Sequence, residues 1–560
     1  YGINVLGGNG NIIHGNKIGL DVTGAVALPN YGGINVSGPS NTQVGGMVSL
    51  NEGNIISGNT MHGIQVQSGS DFTSIKGNRI GMNEAATAAI ANGNSGIYIA
   101  DATNTTIGGG VDYGNVVSGM SGATQTGILL GSTGSGTSIQ TNIIGSDPTG
   151  NIAIPNRVGI SIQDNHQVYI GGNAGKENFI VASTEAGVEF NSPVSSTMEG
   201  NSVGKSISGV TAGMSNQYGV LVQNKNAVIG NTIANIIVNS TVHGIFISGD
   251  QADSTFIAAN YIGTDPSNTL GIGNAGDGIH IEEADVTEIG AFLYPNIIIG
   301  NIESGIKIEG NAQSTLIQHN IIADQANVGL TNSNGIYLLN GVSNTTIGGT
   351  FGANGNNFIG DAINSGILIE ESNNNYVFGN KIGTDGNGTT NGNNNGVKVD
   401  HSNSIFIGES GGYFNLISRN TEAGILLDSS SAILIYSNLI GVNITGNGPG
   451  PNNIGIHFTG GSQNNFVGES NNSAHANTIS SNDSIGILIE STSNTVQRNY
   501  IGTTSGGLGL MTMQDYGVVI GSLATSTVIG GDLSTEGNLI TANETAGILL
   551  EAENCQISGN

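Results

Sequence analysis

The residues of this sequence best placed to do chemistry are carboxylates that recur at a fixed count from a recurring glycine. Counting four from Gly305, Gly366, Gly424, Gly486 and Gly547 gives Glu309, Glu370, Asp428, Glu490 and Glu551. On an extended chain the period of two points all of them outward, about 9.6 Å apart if they occupy every second rung of a parallel stack. Such a line is either a solvated acidic edge that resists sideways aggregation or a row of weak Ca²⁺ sites. Asp400 holds the same place in an intervening unit. Asp147, Asp265 and Asp385 lie in Gly-, Ser- and Thr-rich loops. There a carboxylate caps backbone donors or, alternatively, contributes to a calcium site.

Catalytic constellations are harder to find. The twelve Lys and Arg are scattered singly, and only Lys76 with Arg79 and Lys398 beside Asp400 approach a cluster. His62-Gly63 and His243-Gly244 have no carboxylate nearby in the pattern, and Trp is absent, which removes the strongest sugar-stacking platform. The expectation is a chain with no catalytic residue, which is not an enzyme. A net charge of −28 disfavours nucleic acid and anionic lipid. No run of eighteen apolar residues crosses a membrane as a helix. Cys555 is the single cysteine, so no internal disulfide forms. Sequons such as Asn104-Thr105-Thr106, Asn344-Thr345-Thr346 and Asn543-Glu544-Thr545 permit glycosylation if the chain is exported.

The element that must position these groups is a repeat. Gly followed by apolar-any-apolar occurs nineteen times at a mean spacing of about 30 residues, from Gly2-Ile3-Asn4-Val5 to Gly547-Ile548-Leu549-Leu550. In Gly366-Ile367-Leu368-Ile369 the two Ile point one way and Leu368 the other, as on a strand. Two further short strands follow in each unit, separated by Gly and Asn turns, which suits one turn of a parallel β-helix. The predicted fold is all-β: about nineteen coils forming one continuous body over residues 1–560 and a rod on the order of 90 Å long. Alternate coils differ, giving a double repeat of about 61 residues. One type carries a loop such as Gly145-Ser146-Asp147, the other a pattern such as Ile107-Gly108-Gly109 with Gly114-Asn115. The chain begins and ends in mid-pattern, so a segment of a longer polypeptide is expected.

Two columns accompany the repeat. Asn16, Asn78, Asn142, Asn201, Asn260, Asn320, Asn380, Asn438, Asn499 and Asn560 share one place in alternate coils, with Asn115, Asn178, Asn357, Asn415, Asn477 and Asn538 at a similar place in the others. Stacked at a turn, Asn hydrogen-bonds rung to rung and tolerates the left-handed conformation, and this reading is preferred over metal or sugar binding. Two residues from the anchor Gly stand Leu368, Leu426, Leu488 and Leu549, expected to face outward beside the acidic column. A row of exposed Leu is covered by a loop of its own chain or makes a lateral contact with another subunit.

Gly-Ile-x-Ile followed by Asn-x-Ile-x-Gly-Asn-x-Ile-Gly resembles the right-handed parallel β-helix repeats of the pectin-lyase-like superfamily, above all the long repetitive surface proteins of bacteria and archaea. The resemblance covers essentially the whole chain and implies three parallel sheets with an internal Asn ladder. Polygalacturonase-like members need an Asp-Asp pair and an Arg-x-Lys motif, and neither occurs here. The expected function is an extracellular structural protein of a surface layer, sheath, filament or adhesin stalk, self-associating or meeting other surface proteins and glycans, with no cofactor beyond possible Ca²⁺. The alternative is a carbohydrate-active enzyme or polysaccharide-binding tailspike on the same fold.

Overall fold

The computed structural model describes residues 1–209, 213–322, 329–349, 357–384, 392–409, 413–469, 475–533 and 535–560. It is an all-β, right-handed parallel β-helix with three parallel sheets and no α-helix among the described residues. Each coil but the last supplies one strand to each sheet. The first sheet holds the anchor segments, such as Ile34–Ser37 and Ile64–Gln67. The second holds strands such as Gln43–Gly45 and Ser74–Lys76, the third two-residue strands such as Ile55–Ile56 and Arg79–Ile80. Nineteen first-sheet strands occur among the described residues, in keeping with the nineteen anchors. The chain divides into two compact units, Tyr1–His280 and Ile281–Asn560.

Register explains the core. In the first unit Ile34 pairs with Ile64, Ile64 with Ile97, Ile97 with Ile128 and Ile128 with Ile160. In the second, Ile336 pairs with Ile367, Ile367 with Val397 and Val397 with Ile425. Like stacks on like, and these side chains are fully buried. Slipping a strand by one residue would put every one of them in water. The anchor glycine is required by a close approach. A Cβ on Gly63 would stand 2.6 Å from the carbonyl oxygen of Gly96 in the next coil.

The Asn residues form one continuous ladder within each unit. Asn16 Nδ2 donates to Asn54 Oδ1, Asn54 to Asn78, Asn78 to Asn115 and Asn115 to Asn142, at 2.9–3.0 Å. It continues through Asn178, Asn201 and Asn235 to Asn260. In the second unit it runs from Asn296 through Asn320, Asn357, Asn380, Asn415, Asn438, Asn477 and Asn499 to Asn538 and Asn560. The amides also donate to backbone carbonyls, as Asn142 does to Ile107 and Asn415 to Val377. In alternate coils the left-handed conformation belongs to the residue before the Asn, such as Gly77 (φ 60°), Ser437 (φ 59°) and Arg498 (φ 56°). A second Asn ladder, absent from the sequence expectations, precedes the anchors. Asn59 donates to Asn92 at 3.0 Å in the first unit, and Asn393 to Asn420 and Asn420 to Asn452 in the second. Its signal was present: an Asn three or four positions before the anchor Gly in most coils.

Candidate functional site

The double repeat builds a cleft in the first unit. Its floor is the outer face of the third sheet, where Lys17, Ile55, Arg79, Val116, Ile143 and Phe179 occupy successive rungs. Loops alternate between the two sides. In the coils of Lys17, Arg79 and Ile143 the long loop follows the strand, and each is pinched shut at its base: Leu28 N–H donates to Gly19 O, Ile90 to Gly81 and Ile154 to Gly145. In the intervening coils the loop precedes the strand, as in 46–53, 109–114 and 172–177. Loops of one side bond to each other past the coil between them: Glu84 N–H donates to Gly24 O at 2.9 Å, and Val48 N–H to Asp112 O at 2.9 Å. Two walls and a floor therefore enclose a groove of about 710 Å³ crossing six coils.

Its chemistry is mixed. Lys17 Nζ pairs with Glu84, whose carboxylate sits on one wall. Asp112, on the other wall, accepts from Ser49 N–H at 3.0 Å and from its hydroxyl. Glu177 is exposed on that same side. The Arg79 guanidinium donates to the Glu84 backbone carbonyl at 2.8 Å and makes no ion pair among the described residues. It is a cation held by its own turn in mid-floor, with donors to spare for a planar anion. Ile55 and Val116 are outward-facing yet only 8% and 7% exposed, because the walls overhang them.

A second constellation lies on the first sheet of the same unit. His243 and Asp277 each stand just before an anchor glycine in adjacent coils, tied by Gly244 N–H donating to Asp277 O. His280 stands two residues after the anchor. Its Nδ1 is 2.9 Å from Asp277 Oδ2, and His243 Nδ1 is 3.5 Å from the same oxygen. Asp277 N–H donates to His243 Nδ1 at 3.1 Å. The rings of His243 and His280 are 4.4 Å apart, with Tyr218 stacked on His243 and Phe246 edge-on to His280. Along the chain His243 has no carboxylate beside it. Comparing the residue before each anchor, coil by coil, puts Asp277 beside it.

The expected site residues are placed as follows. Leu368, Leu426, Leu488 and Leu549 face outward but are half-buried rather than exposed, interleaved with Tyr337, Lys398, His457 and Val519. Of the acidic column, Glu309 pairs with Lys307 at 3.0 Å, the Tyr337 hydroxyl donates to Glu370, Ser429 Oγ donates to Asp428, and Glu490 meets His457 at 2.8 Å. Glu551 is exposed. Glu370, Asp400 and Asp428 occupy consecutive rungs, whereas Leu339 separates Glu309 from Glu370. Burial opposes ionisation of Asp400, but Lys398 at 2.8 Å and His401 hold its carboxyl below the ordinary 3.8. Asp147 accepts from Thr149, Asn151 and Ile152 of its own turn, and Asp265 from Ser267, Thr269 and Lys205. Burial raises both carboxyls and these donors more than offset it, so both stay below 3.8. Asp385 lies outside the described residues.

No family model matches the sequence, and no curated protein matches it. Solved structures do. A periplasmic alginate epimerase, AlgG, is 13% identical with a TM-score of 0.30, over 80% of this chain and 77% of that one. The Dettilon tailspike protein is 14% identical with a TM-score of 0.29, over 81% and 62%. The A-module of the Azotobacter vinelandii mannuronan C-5 epimerase AlgE6 is 13% identical with a TM-score of 0.24, over 83% and 90%. The likeness is one of fold alone, a parallel β-helix of three sheets.

Two expectations are corrected here. The purely structural scaffold was read from the repeat, and the absence of enzymatic function from scattered cations and missing catalytic motifs. The solved chains named above are alginate epimerases and a tailspike, not stalks. No helix among the described residues is long and apolar enough to cross a membrane.

Proposed function

We propose that this chain is a carbohydrate-active enzyme that takes an extended acidic polysaccharide in the third-sheet cleft of its first unit and works outside the cytoplasm, where such polymers are met. The observation that carries the proposal is the walled groove over six rungs, with Arg79 at its floor free of ion pairs among the described residues and carboxylates on both walls. Five rung steps give a track of roughly 24 Å. That shape suits a polymer chain better than a compact ligand.

Each group has a part in this reading. Arg79 receives a sugar carboxylate through a bidentate pair. Glu84 and Asp112, on opposite walls, accept ring hydroxyls and supply the carboxylates that general acid–base chemistry on a glycan requires. Phe179 offers a ring face at one end of the floor.

The test is calorimetric binding of uronate-containing and neutral oligosaccharides, paired with a product assay on the same polymers. Acidic chains should bind and be turned over. Arg79→Ala should weaken binding at least about tenfold. Glu84→Gln and Asp112→Asn should lower turnover more than affinity. Equal affinity of wild type and Arg79→Ala for every acidic glycan would sink the proposal.

A further inference from the structure

We infer that His243, Asp277 and His280 form a binding site for one divalent transition-metal cation, of the class that takes two imidazoles and a carboxylate. The site is separate from the cleft, on the outer face of the first sheet. One ligand atom from each residue lies within 4.8 Å of the other two, and this is the one such group of three or more His, Cys, Asp or Glu among the described residues.

The geometry favours a small, borderline-soft ion. Zn–N and Zn–O bonds of about 2.0–2.1 Å in a tetrahedron place neighbouring ligand atoms roughly 3.3 Å apart. The 2.9 and 3.5 Å separations from Asp277 Oδ2 to the two histidines bracket that edge. Three protein ligands then cover one face of the tetrahedron and leave the fourth position open. Calcium is a poor match, since it takes six to eight oxygens at longer range.

The setting supports the same reading. Asp277 and His280 side chains are 1% and 7% exposed, and His243 is 15% exposed. The opening is therefore on the His243 side. Tyr218 and Phe246 pack against the imidazoles and limit water. All three ligands sit on or beside paired strands, so little ordering is left for the ion to impose. Without metal, the Asp277 amide occupies His243 Nδ1, which leaves the ring proton on Nε2. A cation takes the place of that donor.

The experiment uses the full 560-residue chain, freed of any affinity tag and stripped with a chelator. It is titrated with Zn²⁺ and with Co²⁺, whose visible absorption reports coordination number. A single tight equivalent of Zn²⁺, a Co²⁺ spectrum of low coordination number, and no response to Ca²⁺ or Mg²⁺ are expected. Asp277→Asn and His280→Gln should each weaken Zn²⁺ binding at least about hundredfold. Their metal-free melting curves serve as the control for folding, and His243→Gln replaces any variant that fails it. Zn²⁺ binding that is unchanged in these variants, or no stoichiometric binding at all, overturns the inference and leaves a metal-free His–Asp hydrogen-bonded pair.

Discussion

The same outward column of the first sheet is used differently in the two units. In Tyr1–His280 it runs through Asn4, Asn35, Gln65, Tyr98, Leu129, Ser161, Glu189, Leu221, Phe246 and His280. In Ile281–Asn560 it alternates more regularly, through Lys307, Tyr337, Leu368, Lys398, Leu426, His457, Leu488, Val519 and Leu549. The inward columns of the two units are interchangeable, all Ile, Val, Leu or Phe, and buried in every coil but the first and the last. The constraint that folds a coil is thus identical in both, and it acts on one side of the strand only. Outward residues are free to vary, and clusters arise where two outward columns converge. Tyr218, His243 and Asp277 come from the column before the anchor, Phe246 and His280 from the column after it.

The largest expected effect tests whether the ladder is equivalent in the two units. Asn415 makes four bonds, donating to Val377 O and Asn438 and accepting from the backbone and side chain of Asn380. Asn142 is held in the same way between Asn115 and Asn178. Asn415→Ala and Asn142→Ala should each cost about 4 kcal/mol, at roughly 1 kcal/mol per lost buried bond, read by denaturant unfolding. Costs that differ by more than half would break the equivalence.

Acid should separate the units next. Burial lowers the pKa of His62, stacked on Tyr98, from 6.5 to about 4. Between those values the unfolded chain binds a proton that the folded one does not, so stability is full above pH 6.5 and declines as pH falls towards 4. The loss amounts to up to about 3 kcal/mol in the first unit. His62→Phe should flatten that slope. Asp400 in the second unit works in a lower window, because its carboxyl lies below 3.8. Its contribution is present above pH 3.8 and is lost only as pH falls below that.

Smaller effects probe the turn before each ladder Asn. Gly200→Ala would bring a Cβ to 2.1 Å from the Gly172 carbonyl at φ +69°, and should cost about 2 kcal/mol in melting experiments. Ser437→Gly relieves the same conformation in the second unit and should gain about 0.5 kcal/mol. Smallest of all, Leu488→Ala on the half-buried outward stripe should cost less than about 1.5 kcal/mol. Leu488→Lys should leave the sedimentation behaviour unchanged unless that stripe is a lateral contact.

Much of this protein was legible without coordinates. Period two in Gly366-Ile367-Leu368-Ile369 foretold which side chains are buried. The nineteen anchors foretold the coils, and the spacing of Asn16, Asn78 and Asn142 marked a column that the hydrogen bonds then join. These are local regularities repeated by stacking, so a one-dimensional pattern suffices to read them. The cleft was not legible, and the histidine cluster only by aligning the coils at their anchors, because each depends on residues brought together across coils of unequal length. Glu84 meets Lys17 across 67 positions, and His243 meets Asp277 across 34. Loops of different length shift the sequence count while the rung spacing stays constant. The sequence by itself determined the coil and its core. Only the stacked structure decided which outward groups face one another.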